Sequence, residues 1–430
     1  MPSTMTARSN TPSDPPAACI GWDWGYQTHT IVLRVAGSQD VEHLILPAKP
    51  EAIYQWLQTT EARFGGRTLC VAVEGTKGPV FSQLLERPWI HVYGIHPATS
   101  SRMRNAFTPS GAKDDRPDAE VLLELVENHR DRLRRVHVLD AATARVEQLT
   151  LLRRDMVDRR TQLTNQIGSL LKKYFPQALE LVGASLHSEM AMEFLTRWPS
   201  LMDLKGSRPA TIKQFYYRHN VRSTESVEER LKLIAEAKFV TADPVQNEIW
   251  KLELAGLVEE LKVRVKHVGI VEGQIAAAMK EHPDASLFTE LPGAGPVLAA
   301  RLLAAFGSDR GRYESAENLQ RLSGVAPVLE RSGKTSRVRW RMLAPQFLRQ
   351  TFVEWARCTT RVSAWAAAYH EEQREKGKGS WAIYRSLAYK WIRILWRCWQ
   401  DRKPYNEAEY LKALERRNSP LVQRLKTMAA

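Results

Sequence analysis

Asp23 stands at the end of the first predicted strand, in ACIGWDWG, and Glu74 at the end of the fourth, TLCVAVE. In a sheet where these runs are neighbouring strands, the two carboxylates stand side by side. Such a pair repels and raises its own pKa values unless a cation lies between, and hard oxygen donors of this kind suit magnesium or manganese. In KDDRPDAE a helix beginning near Pro117 puts Asp115 and Asp118 three residues apart, in or just before its first turn and facing one way. Two metal ions held by such a set activate the attacking oxygen and stabilise the leaving one in phosphodiester transfer. Singly, each acid has a plainer reading: Asp115 as a helix cap, Asp118 and Glu120 as complements to the helix dipole, Asp23 as a turn residue. Their joint placement at two strand ends and one helix start favours the metal site.

A second candidate centre lies in ERSGKTSRVRWR, where Arg331, Lys334, Arg337, Arg339 and Arg341 surround Ser332 and Gly333. A serine hydroxyl is a poor nucleophile at neutral pH, but cations that neutralise a phosphodiester make its attack feasible. The plainer reading is a flexible basic loop that touches phosphates, with Ser332 only a hydrogen-bond donor. Ser323 and Ser336 are rivals that spacing does not exclude. Upstream, LPGAGPVLAARLLAAFG reads as a helix-hairpin-helix-like motif, with Gly293 and Gly295 in a turn that exposes backbone amides to a DNA phosphate, or as a tight turn between core helices.

The elements that must position these residues follow from periodicity. From Cys19 to about His129 the pattern predicts the order β, β, β, α, β, α, β, α, an α/β arrangement of the RNase H-like kind. One long helix is expected over about Asp140 to Tyr174, with Val146, Leu149, Leu152, Met156, Leu163, Ile167 and Leu170 as its stripe. A second runs from about Pro244 to Lys280, with Leu254, Leu257, Leu261, Val265, Val268 and Ile275. The two can pair as an antiparallel coiled coil or mediate self-association. Residues 183–241 read as mixed and mostly helical, without an assigned role. The expected division is a disordered leader at 1–17, an α/β domain at 18–135, a helical or coiled-coil region at 136–285, an all-α serine-bearing domain at 286–400 and a tail at 401–430.

The 430 residues carry a formal charge of +14, a pI of about 9.6 and a mean hydropathy of -0.38. That field attracts polyanions, with nucleic acid first among them. The sequence lacks a long apolar run of spanning length, so no membrane partner is expected. Cys19, Cys70, Cys358 and Cys398 form no CxxC pair and no zinc spacing, which fits a reducing cytoplasm.

Three segments, GWDWGYQTH, VAVEGTKG and IHPATSSRMRNAFTPSGAKDDRPDAEVL, resemble the acidic motifs of the DEDD transposases of the IS one-ten and IS eleven-eleven families, relatives of the pilin-gene invertases. LSGVAPVLERSGKTSRVRWR and FLRQTFVEWA resemble their C-terminal domain, whose nucleophilic serine precedes a glycine at the position of Ser332. The resemblance implies a RuvC-like domain with the quartet Asp23, Glu74, Asp115 and Asp118, a coiled-coil linker and a serine-bearing domain. It also implies a dimer to tetramer in which the acids of one subunit meet the serine of another, and guidance by a structured noncoding RNA that pairs with donor and target double-stranded DNA. The reading is then cut-and-rejoin recombination in the bacterial cytoplasm, at the nucleoid, through a covalent serine–DNA ester. The alternatives are a RuvC-like junction nuclease using metal-activated water and a non-catalytic nucleic-acid-binding protein. The middle region is longer than in compact members, and VRWRMLAPQFLRQ replaces a Gly-Asn-rich turn.

Overall fold

The computed structural model describes residues 15–75, 78–107, 115–241, 243–333, 335–339, 341 and 344–429. The chain divides into two compact units, the first ending at Val138 and the second beginning at Leu139. The expected leader falls mostly outside the described residues, but Ala17 is already buried and donates its N–H to the Thr68 carbonyl.

In the first unit, β1 (Ala18–Trp24), β2 (Thr28–Val35) and β3 (Val41–Pro47) form a meander. They are followed by α1 (Pro50–Phe64), β4 (Leu69–Glu74), α2 (Pro79–Leu85), β5 (Ile90–Ile95), α3 (Pro97–Phe107) and α4 (Asp115–Asn128). The sheet order is β3-β2-β1-β4-β5, with β1 antiparallel to β2 and parallel to β4. The expected element order is present with one addition, the helix α3. Its stretch PATSSRMRNAF carries few apolar residues, so the periodicity that marks a buried helix face is faint there.

Both sheet faces are covered. Ile20, Trp22, Val71 and Val73 point to the α1 and α2 side, and Cys19, Cys70 and Ala72 to the α4 side. Gly21 permits the close approach of α4: a Cβ there would lie 2.0 Å from the Ala119 carbonyl oxygen and 2.5 Å from the Leu123 nitrogen. Any side chain at this position must push the helix off the sheet.

The second unit is built on α5 (Ala141–Tyr174), capped by Asp140, whose side chain accepts from the Thr143 N–H, and α11 (Pro244–Glu281), capped by Asp243. They run antiparallel. Thr143 meets His282, Arg145 meets Glu281, Arg153 meets Glu272, and Tyr174 stacks on Trp250. Leu152 departs from the expected stripe and is exposed. The buried positions Thr143, Val146 and Thr150 turn the packed face of α5 away from it. Residues 183–241, which had no assigned role, join a helical cap over the far end of this hairpin. It comprises α6 (Gln177–Val182), α7 (Glu189–Arg197), α8 (Leu201–Lys205), α9 (Pro209–Arg218) and α10 (Thr224–Glu236), and shares one core with Leu163, Ile167, Leu254 and Leu261.

At the near end, α12 (Ser286–Thr289), α13 (Pro296–Phe306), α14 (Ala316–Leu322), α15 (Gln346–Thr359), α16 (Ala364–Glu375) and α17 (Ser380–Asp401) pack around an aromatic core. Trp355, Trp365, Trp391 and Trp399 are fully buried there, and each indole N–H has an acceptor. That satisfaction is what lets so large an amphipathic ring be buried without penalty. The residues after 400 form α18 (Glu407–Arg416) and α19 (Pro420–Ala429), with Tyr405, Tyr410, Leu414 and Leu421 against the same core. Among the described residues no helix is long and apolar enough to cross a membrane, and the four cysteines are free.

One element differs from the sequence expectation of an all-α second half. The stretch read as a basic loop is a β-hairpin, β6 (Val328–Ser332) and β7 (Thr335–Arg339). Gly333 adopts φ 55° in the two-residue connection, the positive φ that keeps a tight hairpin in step with strand twist. The dense arginines mask the alternation and the β-branched residues that drive this pairing.

Candidate active site

The last residues paired between β1 and β4 are Trp22 and Val73, so Asp23 and Glu74 follow at the carboxyl ends of two adjacent parallel strands. Strand alternation sets Asp23 on the face of Gly21 and Cys19, and Glu74 on the face of Ala72 and Cys70. That is the face covered by α4. Helix α4 runs antiparallel to β1. Its C-terminal Glu127 pairs with Arg34, which lies opposite Cys19 in the β-ladder, so its first turn comes to the Asp23 end. Asp115 begins that helix and Asp118 lies in its first turn. The side chain of Asp115 lies outside the described residues. The indole N–H of Trp24 donates to the Glu74 carbonyl at 3.0 Å and ties the two strand ends together.

Arg104 of α3 is a member of this site that sequence reasoning missed. Its Nη1 donates to both carboxylate oxygens of Asp118, at 2.5 and 2.7 Å, in a half-buried pair. The only signal was the pair of arginines in SSRMRNAF just ahead of the acidic motif. A guanidinium already neutralises one of the acids, and among the described residues no three His, Cys, Asp or Glu side chains are gathered as a ready metal cluster. The donor set is nonetheless all carboxylate, the ligand type that hard divalent cations take.

In the second unit, Ser332 ends β6 and is exposed. Directly opposed residues share a face of the ladder. Ser332 therefore lies on one side with Glu330, Arg337 and Arg339, while Arg331 is on the other side with Ser336. This corrects the picture of five cations surrounding Ser332. Arg341 has left the ladder and is half-buried, and Lys334 lies outside the described residues. On the serine face Arg339 pairs with Glu330 at 2.5 Å, whereas Arg337 has no carboxylate partner among the described residues. Ser323 is completely buried and donates to the Gln320 carbonyl, which withdraws it from chemistry at the surface.

The glycine turn is a tight one, with Ala294 N–H donating to the Leu291 carbonyl at 3.1 Å and Gly293 at φ 70°. A Cβ on Gly293 would stand 2.9 Å from the Cys358 carbonyl carbon, so this glycine serves packing against α15. Gly295 is exposed, has open space around it, and begins α13 without a side-chain cap. The helix before the turn, α12, is a single turn.

The five-stranded mixed sheet with carboxylates at its parallel strand ends is compatible with an RNase H-like nucleic-acid-processing domain. Residues 20–176 match a family model for the DEDD transposase of IS110, and residues 285–371 match the transposase family IS116/IS110/IS902. Together the two matches cover more than half of the chain. Similar proteins include the Streptomyces coelicolor mini-circle protein whose name assigns it to IS117 as a transposase, 28% identical over 77% of this chain and 80% of its own length. Others are the 43.6 kDa protein of insertion element IS110 from the same organism, 24% identical over 71% of this chain and 75% of its own, and the 44.8 kDa protein of IS116 from Streptomyces clavuligerus, 25% identical over 79% and 84%. The chain belongs to the IS110/IS116 family of insertion-sequence DNA transposases.

Proposed function

We propose that this transposase cuts and rejoins double-stranded DNA through a covalent ester on Ser332. The observation that carries the reading is the hairpin, which presents an exposed serine at the end of β6 on the same face as Arg337 and Arg339. The Ser332 Oγ attacks phosphorus, the Oγ–P bond forms as the bond to one deoxyribose oxygen breaks, and the serine proton is lost while the leaving oxygen gains one. The ester conserves the bond energy for the reverse attack by a different strand end, so no nucleotide cofactor is needed. Arg337 and Arg339 stabilise the charge that builds on the phosphoryl oxygens.

Asp23, Glu74, Asp115 and Asp118 would hold magnesium or manganese, which supplies charge neutralisation at the reacting phosphodiester. For that, Asp118 must exchange Arg104 for the ion. The amides of Gly295 and the α13 N-terminus contact the DNA backbone, and with Arg331, Lys334 and Arg341 they fix register without reading bases. A structured noncoding RNA supplies the sequence information, in keeping with the positive charge of the chain.

Self-association is part of this reading. Opposite its packed stripe, α11 exposes Val245, Ile249, Leu252, Val263 and Ile270, at spacings of four, three, eleven and seven, and each is more than half exposed. A second apolar seam on a 38-residue helix suits a helix from another subunit.

Trapping tests the chemistry. Incubated with its element-end DNA and magnesium, the wild-type protein is expected to form a denaturation-resistant protein–DNA adduct that is lost in Ser332→Ala and kept in Ser336→Ala. Strand cleavage without any adduct would point to a metal-activated water nuclease instead. An adduct that survives in Ser332→Ala and disappears in Ser336→Ala would move the nucleophile to the opposite face of the hairpin.

A further inference from the structure

Helix α17, the turn after it and α18 enclose a cleft of about 990 Å³ in the second unit, lined, apart from Ala316 of α14, by residues beyond the 285–371 that match the family's C-terminal domain. Six cationic side chains line it against two carboxylates, Asp401 and Glu409. Arg397 approaches Asp401 at 3.7 Å. Arg393, Lys403, Arg416 and Arg417 have no ion-pair partner among the described residues. Unpaired cations gathered in a concave wall repel one another, and the arrangement concentrates field in the cleft.

Aromatic rings share the lining. Trp396, Tyr405 and Tyr410 all border the space, and the indole N–H of Trp396 is buried with no acceptor among the described residues. Burial pushes the Tyr410 hydroxyl up, while Arg417 and Arg393 pull it back, so guanidinium groups from α17 and from the end of α18 both bear on this ring. Cations for phosphates and aromatic rings for base faces are together the chemistry of an unpaired polynucleotide strand. A duplex turns its phosphates outward and keeps its base faces stacked inside, so it would meet the cations without offering a base to the aromatic wall.

We propose that this cleft binds single-stranded nucleic acid, its cations on successive phosphates and its aromatic wall against a base. The inference rests on the cleft's own chemistry and holds whether or not Ser332 forms an ester with DNA. It gives the C-terminal helices a task separate from that of the β6–β7 hairpin.

The experiment measures anisotropy of short labelled oligonucleotides, as single-stranded RNA, single-stranded DNA and duplex DNA, with the full chain at one fixed salt concentration. The Arg393→Glu/Arg417→Glu variant is expected to bind single strands about tenfold more weakly or worse, while duplex affinity stays within about twofold. Loss confined to the RNA probe would identify a ligand read through its 2′-hydroxyls, and equal loss for RNA and DNA strands would identify any unpaired strand. Lys403→Glu, in the exposed connection after α17, is expected to weaken the same probes and guards against misfolding of the double variant. Unchanged single-strand binding in both variants overturns the proposal, and so does an equal loss for the duplex. Polyglutamate that binds as tightly as the strands and is lost with the same substitutions also overturns it, in favour of an acidic protein segment.

Discussion

Asp118 already has one cation beside it, and the proposed metal ion would be a second. Arg104 makes two charge-assisted hydrogen bonds to it in a half-buried setting, a contact worth about 1–2 kcal/mol. A metal ion that needs the same oxygens must displace the guanidinium and loses that amount, about five- to thirtyfold in affinity. Arg104→Ala is therefore expected to tighten manganese binding by about that factor, measured by calorimetric titration of the full chain without DNA. Unchanged or weaker binding would show that Asp118 contributes no oxygen to the ion. The released guanidinium is then available to a phosphate, so the same variant is expected to bind DNA less tightly while binding metal better. Neither acid nor arginine announces this pairing in sequence, because the contact spans 14 residues and depends on how α3 lies against α4.

At the scale of elements, the two long helices were legible from their apolar spacing, and their boundaries in the structure fall within a residue of the expected ones. Their use was not. The 3.6-residue period marks a stripe but not which neighbour covers it, and α11 carries two stripes on opposite faces. One packs on α5 through Leu254, Leu261 and Val268, and the other is exposed. Ile249→Glu/Leu252→Glu places charges in the exposed seam without touching the packed one. It is expected to lower the oligomeric state seen by sedimentation while the melting temperature stays within a few degrees. A variant that assembles like the wild type would leave this seam without a partner. The hairpin was the element least visible beforehand, since its sequence is dominated by arginines and its alternation is only five residues long on each strand.

Over the whole molecule, the charge of +14 is a property of composition, but only part of it bears on any one ligand. Each phosphate neutralised contributes about 0.9 to the slope of log affinity against log salt. Arg337→Ala/Arg339→Ala on the hairpin is expected to reduce the magnitude of that slope for duplex DNA by about 2, leaving the remaining salt dependence in place. If the slope is unaltered, the hairpin does not meet the backbone of DNA and Ser332 loses its route to a phosphodiester. The placement of Asp23 and Glu74 was readable because they stand at the ends of strands whose apolar runs are self-evident, and strand alternation then fixes a shared face. Which cations stand near Ser332 was not readable, because a count of arginines carries no information about sides of a ladder. Composition, periodicity and motif spacing by themselves determined the α/β first half, the long helices and the acids and serine to consider, since these follow from local patterns of residue type. Tertiary structure decided that Arg104 holds Asp118, that Ser323 is sealed in the core, that Arg331 faces away from Ser332, and that α17 and α18 enclose a cationic cleft. Each of these depends on the packing of segments distant in sequence or on the twist and pairing of strands, which no local pattern encodes.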